Sequence, residues 1–329
     1  MTIRLGVLMD PIESIKPYKD STLAMLLAAQ ARGWEIWYMQ QGDAYIKDGR
    51  AHADMRRLNV SDDDNWYRYA ESADNPLSTL NVILMRLDPP YNMEYIHTTH
   101  LLQLAAAQGV LVVNDPVSLR VFHEKLYINW FNQLIPSTLV TSTRQRIKQF
   151  LALHQDIIIK PLDSMGGDSV FRIRIDDPNS SVIVEKMTDY DRAAVMVQRY
   201  IPDIAQGDKR ILLIDGEPVP YALARIPAAG ETRGNLAAGG RGEGRPLSAR
   251  DREICAQVGP VLKKNGILFA GLDVIGDYLT EINITSPTCI RELDKIYSLD
   301  IAGQLMDVIA AKLKTKNPDY KDTNNKKLA

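Results

Sequence analysis

The segment that most constrains the fold is residues 266–294, where a carboxylate interrupts an apolar strand pattern. Residues 267–275 are apolar apart from a glycine and Asp273, and polar and apolar side chains then alternate through Glu281 and Asn283. Side chains of a strand point alternately to opposite faces, so Glu281 and Asn283 share one face. The pattern predicts a hairpin that carries hard oxygen ligands, which are the ligands that Mg²⁺ prefers.

The register of this hairpin decides whether Asp273 joins Glu281. Directly opposed residues of an antiparallel pair share a face, so opposing these two carboxylates requires an odd number of loop residues. A two-residue turn is the commoner choice, and it would turn Asp273 to the other face. We predict a three-residue loop, 276–278, because a lone carboxylate in an apolar strand is costly without a cation or partner. The alternative is a structural hydrogen bond for Asp273 and a solvent-facing Glu281.

Composition and charge exclude several classes of function. The 329 residues carry 39 Lys and Arg against 41 Asp and Glu, so no basic field for nucleic acid is indicated. No apolar run reaches the ~20 residues of a membrane span, and the N-terminal stretch meets Asp10 too soon for a signal peptide. The two cysteines, Cys255 and Cys289, indicate a reducing cytoplasm and no disulfide framework.

The first third of the chain predicts a parallel sheet. Strand patterns at 3–9 and 34–39 flank a helix pattern at 22–32, and this order is typical of parallel α/β units. Another strand pattern, 81–85, is followed by Arg86. Charged residues just past the carboxyl end of a strand are where open α/β sheets place ligands, although a plain Pro-rich turn explains this segment equally well.

The middle of the chain carries weaker signals for nucleotide binding. We predict a helix over 118–131 that carries Lys125, and a buried strand that ends at Lys160. Gly166 and Gly167 follow, and their backbone freedom allows amides to wrap a phosphate beside the lysine charge. The Walker A pattern is absent, and a hairpin loop accounts for the two glycines as cheaply.

Further strand patterns lie at 182–185, 195–201 and 211–214, and three consecutive charges, 208–210, precede the last one. These charges fit contacts to a ribose and phosphates, and they also fit a solvated strand entrance. Residues 226–246 contain six glycines and three arginines in 21 positions. Loops longer than about 12–15 residues are usually functional or disordered. The arginines favour a lid over an anionic intermediate, with a plain linker as the alternative.

The C-terminal part predicts a helix over 288–295, with Ser286 as N-cap and a proline at its first position. The free amides at such a start suit an anion, for instance a substrate carboxylate. Residues 314–329 are polar and lack periodicity, which predicts a frayed tail.

Together these segments resemble the bacterial glutathione synthetase family of the ATP-grasp superfamily. The resemblance covers the chain to about Lys314, and its motifs are MRLDPPY at 85–91, KPLDSMGG at 160–167, GDKRILLIDGEPVPYALARIP at 207–227, GETRGNLAAGGRGE at 230–243 and LTEINITSPTCIRE at 279–292. The last two are specific to this family. The resemblance implies an α/β fold in which a Rossmann-like, pre-ATP-grasp domain with a parallel sheet precedes an ATP-grasp fold of two α+β subdomains. The implied boundaries are 1–119 for the first domain, 120–201 for the small subdomain, 202–315 for the catalytic core and 316–329 for a flexible tail.

The same resemblance implies roles for individual residues. ATP would be bound by Lys125, Lys160, Gly166, Gly167, Asp208 and the hinge strand Gln198, Arg199, Tyr200 and Ile201. Arg210 would face the transferred phosphoryl group, and Arg225, Arg233 and Gly240 would close over the intermediate. Asp273, Glu281 and Asn283 would hold two Mg²⁺ or Mn²⁺ ions. Arg86, Asn283, Ser286 and Thr288 would border the peptide and glycine site.

The implied reaction is ATP-dependent ligation of glycine to γ-glutamylcysteine, the second step of glutathione biosynthesis. The resemblance also implies a cytoplasmic enzyme that assembles as a homotetramer. Two other functions stay open. Another ATP-grasp carboxylate–amine ligase, such as D-alanine–D-alanine ligase, would share the metal ligands but lack the TSPTCIRE segment. A non-catalytic ATP-binding regulator of the synapsin type is disfavoured by the intact metal set and the arginine-bearing lid.

Overall fold

The computed structural model describes residues 2–228, Gly234 and residues 239–316, and three β-sheets form its framework. The seven strands of the first sheet are β1 Arg4–Met9, β2 Glu35–Met39, β3 Ala44–Lys47, β4 Arg50–Val60, β5 Tyr67–Pro76, β6 Val82–Arg86 and β7 Leu111–Val113. Strands β2, β1, β6 and β7 are parallel neighbours, as the alternation of strand and helix patterns predicts. Strands β3 to β5 extend this sheet as antiparallel neighbours.

The second and third sheets are antiparallel throughout their described strands. The second contains β8 Thr138–Thr141, β9 Asp156–Pro161, β10 Phe171–Arg174 and β11 Val195–Arg199, in the order β10-β9-β11-β8. The third contains β12 Asp208–Ile214, β13 Glu217–Ile226, β14 Arg241–Pro246, β15 Phe269–Ile275 and β16 Tyr278–Asn283, in the order β14-β13-β12-β15-β16.

Helices cover these sheets and connect them. The described α-helices are α1 Ser21–Ala31, α2 Met93–Ala107, α3 Pro116–Val121, α4 Arg144–His154, α5 Ser180–Met187, α6 Ala249–Lys264, α7 Ile290–Tyr297 and α8 Ile301–Lys316. Short 3₁₀ helices lie at Ile12–Ser14, Pro17–Lys19, Gln41–Asp43, Leu77–Thr79, Tyr127–Phe131 and Pro202–Gln206. Helices α1 and α6 have side-chain N-caps: Asp20 accepts from the Leu23 amide (2.6 Å), and Ser248 forms a capping box with Asp251.

The hydrophobic cores divide the molecule unequally. Side chains of the first and third sheets belong to common clusters, in which β1 and helix α1 lie with β12 and the C-terminal helix α8. The second sheet packs its own small cluster of aliphatic side chains between β9, β11 and helices α4 and α5. The first and third sheets therefore share their cores, and the second sheet joins one of these cores through Met196 of β11.

The central hairpin opposes Asp273 to Glu281, as predicted, but by a different route. The predicted three-residue loop is wrong, because Tyr278 already pairs with Ile275 and the turn contains only two residues. A β-bulge at Thr280 supplies the odd residue, and this extra position turns the following side chains to the required face.

Two predicted helix boundaries are wrong for tertiary reasons. The helix predicted over 118–131 stops at Val121. The Glu124 carboxylate accepts a hydrogen bond from the distant Ile284 amide (2.8 Å), and this contact draws the chain out of the helix. Lys125 therefore lies in a turn. The helix predicted from Thr288 begins at Ile290 instead. Its first amide donates to the Ser21 hydroxyl (3.2 Å), so Ser286 is not its N-cap.

Other differences reflect weak local signals. Residues 182–185 are helical rather than extended, and Val182 is exposed while Val184 is buried, which a single strand face would not allow. Strands β5 and β10 were not anticipated, nor was β14, which takes the end of the predicted lid segment. Helix α8 extends to Lys316, so the predicted start of the tail at Lys314 is wrong, and residues 317–329 lie outside the described residues.

Asn114 joins the first sheet to both ends of the hairpin region. Its carboxamide oxygen accepts from the Leu268 and Phe269 amides (2.8 and 3.0 Å), and its nitrogen donates to the Phe269 and Ile284 carbonyls (2.7 and 2.8 Å). The side chain is buried, so all four bonds lie away from water. A buried backbone group that loses its hydrogen-bond partner destabilises the folded state by about 1–3 kcal/mol.

We predict that Asn114→Ala lowers the free energy of unfolding by about 3 kcal/mol, because it leaves buried backbone groups without partners. Urea unfolding followed by circular dichroism measures this loss. Asn129→Ala is the matched control, since Asn129 is exposed and donates only to a local carbonyl; it should change stability by at most about 0.5 kcal/mol. Equal effects of the two substitutions would contradict this account of Asn114.

Candidate active site

Three neighbouring strands of the third sheet bring opposite charges together. Arg210 of β12 lies opposite Asp273 of β15, and Asp208 of β12 lies opposite Arg225 of β13. Arg210 donates to both oxygens of Asp273 (2.5 and 3.0 Å), and Arg225 contacts the same carboxylate at 2.9 Å. Arg225 also pairs with Asp208. The buried carboxylate that the sequence contains therefore has two guanidinium partners.

The protonation of these groups follows from burial and charge. Burial raises the pKa of Asp273, but the Arg210 and Arg225 guanidiniums outweigh burial and hold this pKa well below its usual range. Burial also raises the pKa of Asp208, to about 6, against the opposing effect of Arg225. The Oδ1 atom of Asp208 is buried and has no hydrogen-bond partner among the described residues, so it can accept from a further group.

Glu281 lies on the adjoining strand β16 and faces a lysine of the second sheet. Lys160, at the end of β9, approaches the Glu281 carboxylate at 3.3 Å and the Thr280 carbonyl at 3.4 Å. Burial raises the pKa of Glu281, yet Lys160 and then Lys125 outweigh it and lower the pKa overall. Glu281 is therefore ionised at neutral pH and paired with Lys160.

Asn283 completes the predicted ligand set on β16. It lies opposite Gly271, and its carboxamide nitrogen donates to the Gly271 carbonyl at 3.3 Å. The described residues contain no group of three His, Cys, Asp or Glu side chains arranged to hold a metal. A cation here would thus depend on two carboxylates, one carboxamide and oxygens from its ligand, which is the usual pattern for Mg²⁺ bound with phosphates.

The glycine-rich loop after β9 approaches the site from the second sheet. Gly166 and Gly167 have φ angles of 66° and 79°, a region that favours glycine. The Lys125 ammonium donates to the Ser164 carbonyl (2.5 Å) and the Leu162 carbonyl (3.4 Å) of this loop. The structure thus connects the start of the glycine-rich loop to Lys125, and the Glu281 end of the charge cluster to Lys160.

The predicted hinge strand is β11 with the two residues that follow it. Gln198 is buried and donates to the Thr138 hydroxyl (3.1 Å), and Ile201 is buried as well. The Arg199 and Tyr200 amides donate to carbonyls of neighbouring segments at 3.0 Å each. At least these two amides are used within the protein rather than left for an adenine.

Arg86 lies at the carboxyl end of β6 and is buried. It donates to the Thr22 hydroxyl (3.0 Å) and the Pro287 carbonyl (2.9 Å), so it ties the loop that contains Ser286 and Thr288 to the first sheet. Burial lowers the pKa of Arg86, an effect that Asp88 opposes. The Thr288 hydroxyl lies 3.8 Å from the Cys289 sulfur.

The two remaining predicted residues belong to the lid segment. Gly240 directly precedes β14, whereas Arg233 lies outside the described residues. Gly244 of β14 packs against Tyr297 so closely that no side chain fits there, which explains part of the glycine content of this segment.

Sequence reasoning missed two residues that shape the site, Asn114 and Glu124. The backbone groups that they contact lie more than 150 positions away in the chain, so no local pattern reveals them. Glu124 and Lys125 also line a cleft with Tyr91, Ser164 and Thr285. This cleft opens where the first sheet, the glycine-rich loop and the end of β16 meet.

Comparison with known proteins identifies the family. The chain matches the N-terminal domain of prokaryotic glutathione synthetase over residues 3–120 and the ATP-grasp domain of the same family over residues 124–298. It belongs to the prokaryotic glutathione synthetase family. Proteins of this family use ATP and divalent metal ions.

Curated members of the family resemble the chain over nearly its whole length. Glutathione synthetase from Pseudomonas putida is 59% identical over 317 residues, which are 96% of this chain and 100% of that protein. Glutathione synthetase from Vibrio cholerae is 54% identical over 313 residues, 95% of this chain and 98% of that protein.

Solved structures show the same ATP-grasp fold. The crystal structure of D-cycloserine synthetase DcsG superposes with a TM-score of 0.67 at 14% identity, covering 94% of this chain and 100% of that one. A RiPP-associated ATP-grasp ligase from Chryseobacterium gregarium superposes with a TM-score of 0.64 at 14% identity, covering 95% of this chain and 97% of that one. Among the described helices of this family member, none is both long and apolar enough to cross a membrane.

We predict that Asp273→Asn lowers the free energy of unfolding by about 3–5 kcal/mol at pH 7, because two buried guanidiniums lose their ionised partner. The difference from the parent should persist to about pH 4. It should shrink below the usual carboxyl pKa of 3.8, since a lowered pKa stabilises the fold only while the unfolded group is ionised.

Urea unfolding at several pH values measures both effects. Glu71→Gln is the control, because Glu71 pairs with Arg57 at the surface and should contribute at most about 1 kcal/mol. A loss for Asp273→Asn no larger than that of the control, or a difference that grows below pH 3.8, would contradict the assigned charge state.

Proposed function

We propose that this chain joins glycine to γ-glutamylcysteine through an acylphosphate, consuming ATP and releasing glutathione, ADP and phosphate. The observation that carries the proposal is the buried Arg210–Asp273–Arg225 cluster beside Glu281, in a chain whose near full-length relatives are glutathione synthetases. The glutathione synthetase activity follows from family membership, and we propose the roles of the individual residues.

The chemistry sets what the site must do. A peptide carboxylate is a poor electrophile, and transfer of the γ-phosphoryl group of ATP gives it a good leaving group. The amine of glycine then attacks the acyl carbon, a C–N bond forms, the nitrogen releases a proton to solvent and phosphate leaves with the C–O electron pair. Catalysis of such phosphoryl transfer consists largely of positioning and of stabilising spread negative charge.

Arg210 and Arg225 fit the stabilising role. Their guanidiniums are fixed by Asp273 and Asp208 before any ligand arrives, so little reorganisation is required when negative charge develops. In the proposal Arg210 faces the transferred phosphoryl group, while Arg225, Gly240 and Arg233 border the intermediate. The role of Arg233 rests on the family resemblance, as this residue lies outside the described residues.

Asp273, Glu281 and Asn283 would hold Mg²⁺ or Mn²⁺, as two ions shared with the nucleotide. The donor set fits such ions. An ionised carboxylate has about four acceptor sites. The two arginines use three of those on Asp273, so about one is left for a cation. Bound cations would neutralise phosphate charge. Glu281 would exchange its contact with Lys160 for a cation and thereby release the lysine to a phosphate.

The lysines and the glycine-rich loop fit the nucleotide. Lys125 and Lys160 now contact carbonyls and Glu281, which phosphate oxygens would replace, and Gly166 and Gly167 present backbone in a conformation suited to an anion. The residues from Gln198 to Ile201 would border the adenine, and Asp208 the ribose, for which its unpartnered Oδ1 is a suitable acceptor.

Arg86, Asn283, Ser286 and Thr288 would border the peptide and glycine. Arg86 donates to the Pro287 carbonyl, so in this proposal it holds the loop that carries Ser286 and Thr288 in place. Water would hydrolyse the acylphosphate, so the segment before β14 would have to cover the site during the reaction.

The organisation of the whole protein is part of the proposal. We place the domain boundaries at 1–119, 120–201 and 202–315, with a tail at 316–329, and we place the enzyme in the cytoplasm as a tetramer. Both cysteines are buried and unpaired, which is consistent with a reducing compartment.

We predict that the purified chain forms glutathione from ATP, γ-glutamylcysteine and glycine, with one phosphate released per peptide. Mass spectrometry of the product and a phosphate assay measure this. Replacing both amino-acid substrates with D-alanine should release phosphate only at background level. Formation of D-alanyl-D-alanine, or ATP binding with no product from either set, would refute the proposed substrate.

We predict that Glu281→Ala reduces kcat to less than about a tenth of the parent value, since loss of a metal-bound transition-state contact should cost several kcal/mol. The fold should be preserved, as judged by circular dichroism. Glu217→Ala is the control, because Glu217 is exposed at the far end of β13 and should leave kcat unchanged. Retention of more than a tenth of kcat by Glu281→Ala would count against its metal role.

A further inference from the structure

Glu124 makes an unusual set of contacts with the strand that carries Glu281 and Asn283. One oxygen of its carboxylate accepts three hydrogen bonds, from the Ile284 amide (2.8 Å), the Thr285 amide (3.0 Å) and the Thr285 hydroxyl (2.9 Å). Its backbone carbonyl accepts a fourth, from the Ile282 amide (3.0 Å). A single residue therefore accepts from both neighbours of Asn283 in the chain.

These contacts occur at the open edge of the third sheet. Among the strands that the structure describes, β16 is the last of that sheet and pairs with β15 along one side only. Amides of alternate residues in a strand point to the same edge, so the Ile282 and Ile284 amides both point away from β15. Glu124 supplies the acceptors that a further strand would otherwise provide, and it does so on either side of Asn283.

The next residue binds a different element. The Lys125 ammonium donates to the Ser164 and Leu162 carbonyls of the glycine-rich loop. Two adjacent residues thus connect the strand with the proposed metal ligands to the loop with the proposed phosphate contacts. Because they share one peptide bond, any shift of Glu124 relative to β16 also moves the Lys125 backbone.

We propose that Glu124 is a positioning residue for the ligation reaction, one that fixes Asn283 and Lys125 relative to each other so that both meet the same metal–nucleotide. This inference rests on the proposed function of the site. Glu124 acts through the hydrogen bonds that its oxygen accepts; it does not contact the reacting atoms. Outer partners of this kind typically change metal affinity or activity by about 10- to 100-fold when they are removed.

The chemistry of the side chain separates this role from a simple charge effect. Glu124→Gln keeps an oxygen that can accept all three hydrogen bonds and removes the negative charge. Glu124→Ala keeps neither and leaves the donors of Ile284 and Thr285 without a partner. Thr285→Val is a milder change, because it removes one donor and leaves the two amide bonds to Glu124 in place.

Calorimetric titration with ADP and Mg²⁺, together with the Mg²⁺ concentration for half-maximal ligation, tests the proposal. Glu124→Ala should weaken Mg²⁺·ADP binding and raise the half-activating Mg²⁺ concentration, each by about tenfold or more. Thr285→Val should shift both in the same direction by less. Glu124→Gln should stay close to the parent. If Glu124→Ala does not fold, the Thr285→Val and Glu124→Gln results decide the question.

Asp115→Ala is the matched control. Its carboxylate also accepts from two backbone amides, those of Val117 and Ser118, but within its own helix start. Asp115→Ala should lower thermal stability and leave Mg²⁺·ADP binding unchanged. Glu124→Ala would give the same result if the role of Glu124 were merely structural. Unchanged Mg²⁺ dependence in both Thr285→Val and Glu124→Ala would overturn the proposal, as would a loss in Glu124→Gln equal to that in Glu124→Ala.

The binding readout keeps this test separate from the proposed function. If the parent chain makes no glutathione but binds Mg²⁺·ADP, the proposed reaction fails while the effect of Glu124 on metal–nucleotide binding can still be measured. If the parent makes glutathione and the Glu124 variants bind Mg²⁺·ADP as the parent does, the reaction stands and the positioning role fails.

Discussion

Thr280 occupies an extra position in the central hairpin, and its hydroxyl donates to the carbonyl of Asp273 at 3.1 Å. This bulge turns Glu281 and Asn283 to the face on which Asp273 lies, although the turn itself has the wrong number of residues for that register. Without it the carboxylate of Glu281 would point into the apolar layer that Ile282 now fills. The geometry of the candidate site therefore depends on one irregular residue.

A second constraint is the cost of burying charge. Arg210, Arg225, Asp208 and Asp273 form a nearly neutral cluster inside the third sheet, and such clusters seldom add stability compared with apolar residues. Their value lies in dipoles and charges that are fixed before the ligand binds. The contacts from the second sheet, Lys160 to Glu281 and Lys125 to the glycine-rich loop, are polar and can be exchanged for phosphate.

The sequence predicts those parts of the fold that rest on local patterns. The parallel strands of the first sheet and the opposition of Asp273 and Glu281 follow from periodicity and from the cost of an unpaired carboxylate. The cost of an unpaired carboxylate did not distinguish a metal cation from a guanidinium as the partner of Asp273, because either positive charge removes that cost.

Features that depend on distant partners could not be read from the chain. Lys125 lies in a turn because Glu124 contacts Ile284, and helix α7 starts at Ile290 because Ser21 accepts from its first amide. The bulge was missed because an extra strand residue and an extra loop residue give the same register. The residue roles in nucleotide and substrate binding come from the family resemblance and remain proposals.

The most direct test of the account is an anomalous difference map of crystals grown with Mn²⁺ and a non-hydrolysable ATP analogue. We predict a manganese peak in coordination contact with Glu281, Asn283 and the analogue's phosphates, on the side of Asp273 that the arginines leave open. A peak elsewhere, with Glu281 still paired to Lys160 and the phosphates remote from Arg210, would contradict the account.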